Sequence, residues 1–178
     1  ISMIAIHAHG IPHVFPAEVI EAAENAKPAP LQGREDWRHI PMITIDPHDA
    51  KDHDDAVFAE PGTRPENEGG VISWYVRSGS ALDREALKRG NSAYFPDRVV
   101  PMLPERISND LCSLREGEDR PALALRMVFS AEGRKVGHKF HRVMMKSAAK
   151  LSYQQAQAAI DGNPDDKSGP LLESVLKP

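Results

Sequence analysis

The sequence predicts an α+β fold in which short helices accompany a mixed or antiparallel sheet. Hydrophobic residues make up 40% of the 178 residues and charged residues 27%, which is the balance of a globular protein and not of a disordered one. Short β-branched runs alternate along the chain with segments that carry helix-capping residues. Fifteen prolines predict many turns, and the length suits one domain of ordinary size.

The first 40 residues predict a lead-in segment that contains one helix. Residues 16–24 form this helix, because Pro16 suits its first position and glutamates in its early turns complement the helix dipole. Two prolines within residues 27–30 end it. A group of histidines precedes the helix, but no cysteine or fourth ligand lies nearby, which argues against a zinc site. These histidines are His7, His9 and His13.

Apolar runs between residues 42 and 76 predict strands that are separated by turns. Residues 42–45 are rich in β-branched side chains and predict a short strand. A turn-prone, acidic stretch follows, and residues 56–59 form a second apolar run. We expect a loop at residues 61–70 and a strand at residues 71–76.

Two capping signatures predict helices later in the chain. Ser80 is followed three residues later by Asp83, which resembles a capping box, and the helix that starts there should end at Gly90. Ser152 and Gln155 form a second capping box and predict a helix to about residue 160.

The remaining elements are a helix, a hairpin and a tail. Residues 104–114 predict a helix, and the apolar runs at 122–129 and 135–145 predict two strands. A Glu-Gly pair at residues 132–133 marks the hairpin turn between these strands. The tail at residues 161–178 is loop-like with one short amphipathic piece.

The charge is distributed unevenly along the chain. The net charge is −4, but residues 1–70 carry −8 and residues 71–178 carry +4. Six lysines and arginines, and no acid, lie between Arg134 and Lys150. This pattern suits a metal site beside a track for a polyanion, although an uneven surface charge would produce it too.

The single cysteine, Cys112, excludes an internal disulfide framework and suggests a reducing compartment, so we expect a cytoplasmic protein. Its apolar helical context favours a packed side chain over a nucleophile. No apolar stretch is long enough to suggest a membrane span.

The sharpest feature of the sequence is an acidic segment, TIDPHDAKDHDDA, at residues 44–56. Asp46 lies at the end of a predicted strand, and Asp52, Asp54 and Asp55 follow it. Two carboxylates about 5 Å apart repel by roughly 3 kcal/mol at an effective dielectric of 20. Four of them can converge only with protonation or a strong cation, and an all-oxygen site suits Mg²⁺.

Two other interpretations of the acidic segment remain. A solvated acidic loop explains many such clusters. A calcium loop of the EF-hand type fits poorly, because the sixth position from Asp52 is Val57 and the twelfth is Thr63, where that loop requires Gly and Glu. His48 and His53 could orient metal-bound water, but exposed loop residues are the simpler expectation.

The acidic segment resembles the metal-site signature of the RNB family of exoribonucleases, the ribonuclease II and ribonuclease R type. Further motifs follow in the family's order, and residues 41–160 are covered almost continuously. These motifs are Arg89-Gly90, Tyr94-Phe95-Pro96, Pro101-Met102-Leu103-Pro104 and Leu111-Cys112-Ser113-Leu114. The segment IAIHAHGIPHVFP resembles the lead-in to the family's catalytic domain.

The resemblance implies an RNB-type catalytic domain that degrades RNA hydrolytically from 3′ to 5′ and releases 5′-mononucleotides. It implies that Asp46, Asp52 and Asp55 bind Mg²⁺, or Mn²⁺ in its place, and that Asp54 lies closest to the cleavage chemistry. Tyr94 matches the family's aromatic that stacks on a base near the 3′ end of single-stranded RNA.

Apart from the resemblance, the basic stretch suggests a phosphate-backbone track that includes Arg142 and Lys146, although a solvated strand face is an equal alternative.

The chain also departs from the family pattern. About seven residues of the expected strand have no counterpart after Ile72, and the family domain continues beyond Pro178. We therefore expect residues 41–178 to be the N-terminal part of a catalytic domain whose C-terminal part and flanking RNA-binding modules are missing. The fragment alone should be inactive. Two alternatives remain. One is a catalytically inactive RNA-binding module of the same fold, and the other is a different acid-rich, metal-dependent phosphoesterase.

Overall fold

The computed structural model describes residues 1–59, 66–70 and 72–177. The chain divides into two compact units. The smaller unit comprises Ile1–Pro28 and Ile72–Leu111, and the larger unit comprises Ala29–Val71 and Cys112–Pro178. Helices and strands are mixed along the chain, which confirms the predicted α+β class.

The larger unit is built on a seven-stranded sheet in the order β1-β8-β7-β4-β3-β2-β9. Two pairs, β1 with β8 and β2 with β9, are parallel, and the other neighbours are antiparallel, so the sheet is mixed as predicted. The strands of this sheet are β1 Glu35–Asp36, β2 Ile43–Asp46, β3 Asp55–Phe58, β4 Glu66–Gly70, β7 Asp119–Phe129, β8 Lys135–Lys146 and β9 Ala149–Ser152.

The first half of strand β2, Ile43 and Thr44, is buried, and apolar clusters form around Ile43 and around Met42, the residue before the strand. One cluster contains Met42 together with Trp37 and Val143, and it includes buried side chains from β3, β7 and β8. The other contains Ile43 and Leu151, which belong to the parallel pair β2–β9. Ile43 is fully buried. This packing holds the end of β2, and therefore Asp46, at a defined place on the sheet.

Helix α5, Tyr153–Ile160, continues directly from β9 and packs on the second cluster through Ala156. Its capping box is complete, because the Gln155 N–H donates to Ser152 Oγ (3.1 Å) and the Ser152 N–H donates to Gln155 Oε1 (2.9 Å). Short helical turns at Gly169–Leu171 and Leu172–Leu176 follow it.

The smaller unit contains helices α1 to α4, a two-stranded sheet and a π-helical turn. Its elements are α1 Ser2–Ala8, α2 Ala17–Glu24, α3 Ile72–Tyr75, α4 Ala81–Arg89, β5 Ala93–Phe95, β6 Arg98–Val100 and the turn Arg106–Leu111. Ser80 caps α4, and Gly90 ends it with a φ of 78°, a backbone conformation that favours glycine.

The buried side chain of Arg89 on α4 connects three parts of the smaller unit. Its guanidinium donates to the Glu85 carboxylate (2.9 Å) and to the carbonyl oxygens of Val14 (2.9 Å) and Pro101 (3.1 Å). It also stacks 3.6 Å above the ring of Phe15. Its donors are therefore used within the fold, and we assign Arg89 a structural role.

Most of the predicted elements are confirmed. Helices α2, α4 and α5, strands β2 and β3, and the β7–β8 hairpin with its turn at Gly133 lie where the sequence places them. The helix predicted at 104–114 is a shorter π-helical turn, Arg106–Leu111. In the described part of the chain, no helix is both long and apolar enough to cross a membrane.

Three predictions are wrong. The first 40 residues contain two helices, not one, because α1 begins without a side-chain cap and has no recognisable start signal. Residues 66–70 were predicted as loop but form β4, which pairs with both β3 and β7. The strand predicted at 71–76 is replaced by α3, because residues 66–70 already occupy the place between β3 and β7 in the sheet. The loop expected at 61–65 and the residue Val71 lie outside the described residues.

The capping box of α5 gives the first testable prediction. Ser152→Ala removes the acceptor of the Gln155 N–H and should lower the free energy of unfolding by about 1 kcal/mol. Urea unfolding followed by circular dichroism measures this loss. Ser78→Ala is the control, because Ser78 is exposed and precedes α4; equal stability of wild type and Ser152→Ala would contradict the prediction.

Candidate functional site

The acidic residues lie where two neighbouring strands meet one loop. Asp46 is the last residue of β2, and Asp55 is the first residue of β3. These strands are antiparallel, with Ile43 paired to Val57, so the loop of residues 47–54 closes at one end of the sheet. Asp46 also pairs with Ser152 across β2 and β9, which places the start of α5 beside the same end.

His53 ties this loop to the rest of the larger unit. It is buried, and its Nδ1 lies 2.8 Å from Asp46 Oδ2. The His53 N–H donates to Ser113 Oγ (3.0 Å), and the His53 carbonyl accepts from the Leu114 N–H (2.7 Å). The expectation of an exposed residue is confirmed for His48 and wrong for His53, because residues sixty positions away in sequence cover it.

Buried Arg120 on β7 holds the segment that contacts His53. Its Nε donates to the Ser113 carbonyl (2.9 Å), and its Nη2 donates to Glu118 Oε2 (2.5 Å). The hydrogen bonds therefore run from Arg120 through Ser113 to His53 and on to Asp46. The opposite side of the loop is held by Lys150 on β9, whose Nζ donates to the Ala50 carbonyl (3.2 Å).

The electrostatics of the site centre on Asp54. Desolvation is the largest effect that raises the pKa of its carboxyl, and the negative charges of Asp52, Asp55 and Asp46 raise it further, in that order. His53 partly opposes this rise. Because all three other acids of the predicted quartet act on Asp54, the four side chains share one charged neighbourhood.

The donor chemistry of this neighbourhood fits a hard divalent cation, since all four side chains offer carboxylate oxygens. The four acids are nevertheless not gathered into a closed ligand cage. Within residues 1–59, 66–70 and 72–177, no three His, Cys, Asp or Glu side chains lie close enough to hold one ion together. The N-terminal histidines therefore do not form such a group either. The rings of His7 and His13 meet edge to face, with 5.1 Å between their centroids.

Cys112 lies near the acidic site but is not a reactive group. Its side chain is buried, and desolvation, followed by the negative charge of Asp54, raises the pKa of its thiol to about 12. A thiol with such a pKa stays protonated at neutral pH and is a poor nucleophile. The structure therefore agrees with the packed role expected from the sequence.

The three predicted RNA-binding residues belong to two different units of the chain. Tyr94 is on β5 of the smaller unit, opposite Val99, and it is 74% exposed. Arg142 is exposed on β8 of the larger unit. Lys146, at the end of β8, forms an ion pair with Asp119 (3.2 Å), which also binds Arg38 (2.7 Å). Part of the charge of Lys146 is thus already compensated.

The structure draws attention to one residue that the sequence analysis did not single out. Tyr153 begins α5, directly after the serine that pairs with Asp46, and its side chain is 58% exposed. An exposed aromatic beside the acidic loop has the position and the flat face needed to contact a nucleotide base. The sequence alone carries no signal for this place, because it depends on the pairing of Asp46 with Ser152.

The sequence of the chain is similar to those of bacterial ribonucleases R. The chain is 44% identical over 174 residues to ribonuclease R of Vibrio cholerae and 40% identical over 188 residues to ribonuclease R of Vibrio parahaemolyticus. These alignments cover 91% and 98% of the chain. The chain spans only 21–22% of the length of these two relatives.

A solved structure shows the same fold. The structure of Mycoplasma genitalium RNase R in complex with ribose-methylated single-stranded RNA matches with a TM-score of 0.88 and 25% identity, over 95% of this chain and 28% of that one. The RNB domain family matches residues 34–177, which is most of the chain. This chain therefore belongs to the RNB domain family.

Proposed function

We propose that this chain is the N-terminal part of the catalytic domain of a 3′→5′ exoribonuclease, which hydrolyses RNA to 5′-mononucleotides with the help of a divalent cation. The observation that carries the proposal is the set of four aspartates at the end of β2 and β3, in a chain of the RNB domain family. The names of its relatives, ribonuclease R, support the reaction class.

We assign the four acids to two roles. Asp46, Asp52 and Asp55 would hold Mg²⁺ or Mn²⁺, and Asp54 would act closest to the bond that is cleaved. When bound, the cation supplies positive charge for the phosphodiester and lowers the pKa of a bound water. Asp54 suits a proton-accepting role, because its raised pKa makes it a stronger base than an ordinary aspartate.

RNA would be held by stacking and by charge. Tyr94 offers an exposed ring to a base near the 3′ end, and stacking tolerates any base, as a nonspecific degrader requires. Arg142 would contact the phosphate backbone, with a smaller contribution from Lys146 because of its ion pair with Asp119. The solved Mycoplasma relative is bound to single-stranded RNA, which supports RNA as the partner.

We expect the 178-residue chain alone to be inactive, since it spans about a fifth of the length of its two Vibrio relatives. The remaining part of the catalytic domain and the flanking RNA-binding modules would complete the enzyme. A location in the cytoplasm stays a prediction from the single, buried cysteine. The alternative of an inactive RNA-binding module is decided by the first test below.

Asp54→Asn in the full-length protein that carries this segment should lower the rate of RNA hydrolysis by about 10²–10⁴-fold, the range of a lost general base. RNA binding should persist. Hydrolysis is measured as release of mononucleotides from a 3′-labelled oligonucleotide, with Asp49→Asn as a matched control of equal charge change in the same loop. If the wild-type protein binds RNA without hydrolysing it, the enzyme assignment is wrong and the inactive module is correct.

The pKa of Asp54 should respond to its neighbours and to a cation. Asp52→Asn removes a negative charge and should lower this pKa, and added Mg²⁺ should lower it further because a cation favours the ionised form. Carbon-detected NMR titration of the aspartate carboxyls in the 178-residue chain measures both shifts. Asp49→Asn should leave the pKa unchanged, and insensitivity to Asp52→Asn and to Mg²⁺ would disprove the shared site.

Tyr94→Ala should weaken the binding of short single-stranded RNA by about 5- to 150-fold, which corresponds to a loss of roughly 1–3 kcal/mol of stacking. Fluorescence anisotropy of labelled RNA with the full-length Asp54→Asn protein measures affinity without cleavage. Tyr94→Trp should retain binding. Phe140→Ala, which removes another exposed aromatic, is the control, and an equal loss in both alanine variants would argue against a specific stack.

A further inference from the structure

His53 has the features of a residue that organises the acidic loop from inside the protein. It is 6% exposed, whereas its neighbours Asp52 and Asp54 are half-buried and exposed. Side chains alternate between two sides along an extended segment. Because the side chain of His53 points inward, the carboxylates of Asp52 and Asp54 on either side of it both point outward.

The inward position of His53 is set by its backbone. Its N–H and its carbonyl are both hydrogen-bonded to consecutive residues, Ser113 and Leu114. Ser113 is itself buried and is held by Arg120 through its carbonyl. These hydrogen bonds fix the backbone of His53, and they therefore fix the position from which its imidazole contacts Asp46.

The contact between His53 and Asp46 leaves part of the carboxylate available. An ionised carboxylate only accepts hydrogen bonds, so the Nδ1–H of His53 is the donor to Asp46 Oδ2, at 2.8 Å. The terminal torsion of an aspartate is otherwise broad, and this bond restricts it. Asp46 Oδ1 stays free of this contact and can serve as a ligand.

We propose that His53 is a positioning residue that controls the cation affinity of the acidic loop without binding the cation itself. It orients Asp46 by a direct hydrogen bond and sets the outward presentation of Asp52 and Asp54. This inference rests on the proposed cation site. Groups that orient metal ligands typically contribute 10- to 100-fold to metal affinity, and we expect an effect of about this size for His53.

Isothermal titration of the 178-residue chain with Mn²⁺ tests the inference. His53→Phe keeps an aromatic ring but removes the donor, and it should weaken Mn²⁺ binding by about 10- to 100-fold. His53→Asn places an amide N–H near the position of Nδ1 and should restore most of the affinity. Asp46→Asn combined with Asp55→Asn provides the reference for loss of the site.

His141 supplies a matched control elsewhere in the same sheet. It is also buried, at 8% exposure, and its Nδ1 lies 3.0 Å from a carboxylate oxygen of Glu35. His141→Phe should therefore disturb folding to a similar degree, which thermal melting without metal measures, but should leave Mn²⁺ affinity unchanged. In the full-length protein, His53→Phe should raise the Mg²⁺ concentration needed for half-maximal hydrolysis, with little change in kcat at saturating Mg²⁺.

The outcomes separate this inference from the proposed function. Equal Mn²⁺ affinity of wild type and His53→Phe would overturn the role of His53 while leaving the cation site intact. Equally weak binding by His53→Phe and by a stably folded His53→Asn would overturn the hydrogen bond as the cause. Absence of Mn²⁺ and Mg²⁺ binding by the wild-type chain would overturn the cation site, and this inference with it. If His53→Phe fails to fold, His53→Leu takes its place, because it also removes the donor, and His141→Leu becomes its control.

Discussion

The repulsion among the carboxylates of five aspartates within residues 46–55, four of them the predicted site residues, is the constraint that the surroundings of the acidic loop must balance. The raised pKa of Asp54 records this repulsion, since the three neighbouring acids all act in the same direction as desolvation. Left alone, such a loop would open into solvent and separate its charges. Here the loop is held at Ala50 by Lys150 on β9 and at His53 by hydrogen bonds to the buried residues Ser113 and Leu114.

The fold also brings the acidic half and the basic half of the sequence into one sheet. The acidic residues of β2 and β3 and the basic strand β8 belong to one sheet, although they are about eighty residues apart. Arg120 and Lys150 come from the basic half of the chain. Lys150 donates to the carbonyl of Ala50 in the acidic loop, and Arg120 donates to the carbonyl of Ser113, which in turn contacts His53. Both cations therefore support the backbone around the loop through carbonyl oxygens.

Local signals predicted much of this structure, and the misses share a physical cause. The helix cap at Ser80, the capping box at Ser152 and the turn at Gly133 depend on residues close in sequence, and all three are confirmed, although Asp83 accepts from the Gly79 N–H and does not complete a box with Ser80. Strand β4 and helix α3 were missed, because β4 is defined by pairing with β3 and β7 and not by its own composition. The burial of His53 was missed for the same reason, since it depends on Ser113, sixty residues away.

The candidate site shows a similar division. The four aspartates could be found from their spacing and from the family pattern, because they lie within one short segment, residues 46–55. Arg120 and Tyr153 could not, because each matters only through a neighbour that the fold supplies: Ser113 for the first, and the pairing of Asp46 with Ser152 for the second. The charged residues of the site could therefore be identified from the sequence, but the residues whose role depends on a neighbour in the fold could not.

The most direct test of the cation site is anomalous diffraction from crystals of this chain grown with Mn²⁺. The account predicts one or more anomalous peaks within coordination distance of carboxylate oxygens from the acidic loop, with Asp46 still hydrogen-bonded to His53. Well-ordered electron density for the loop with no peak beside these carboxylates at saturating Mn²⁺, or a peak held elsewhere on the chain, would contradict it.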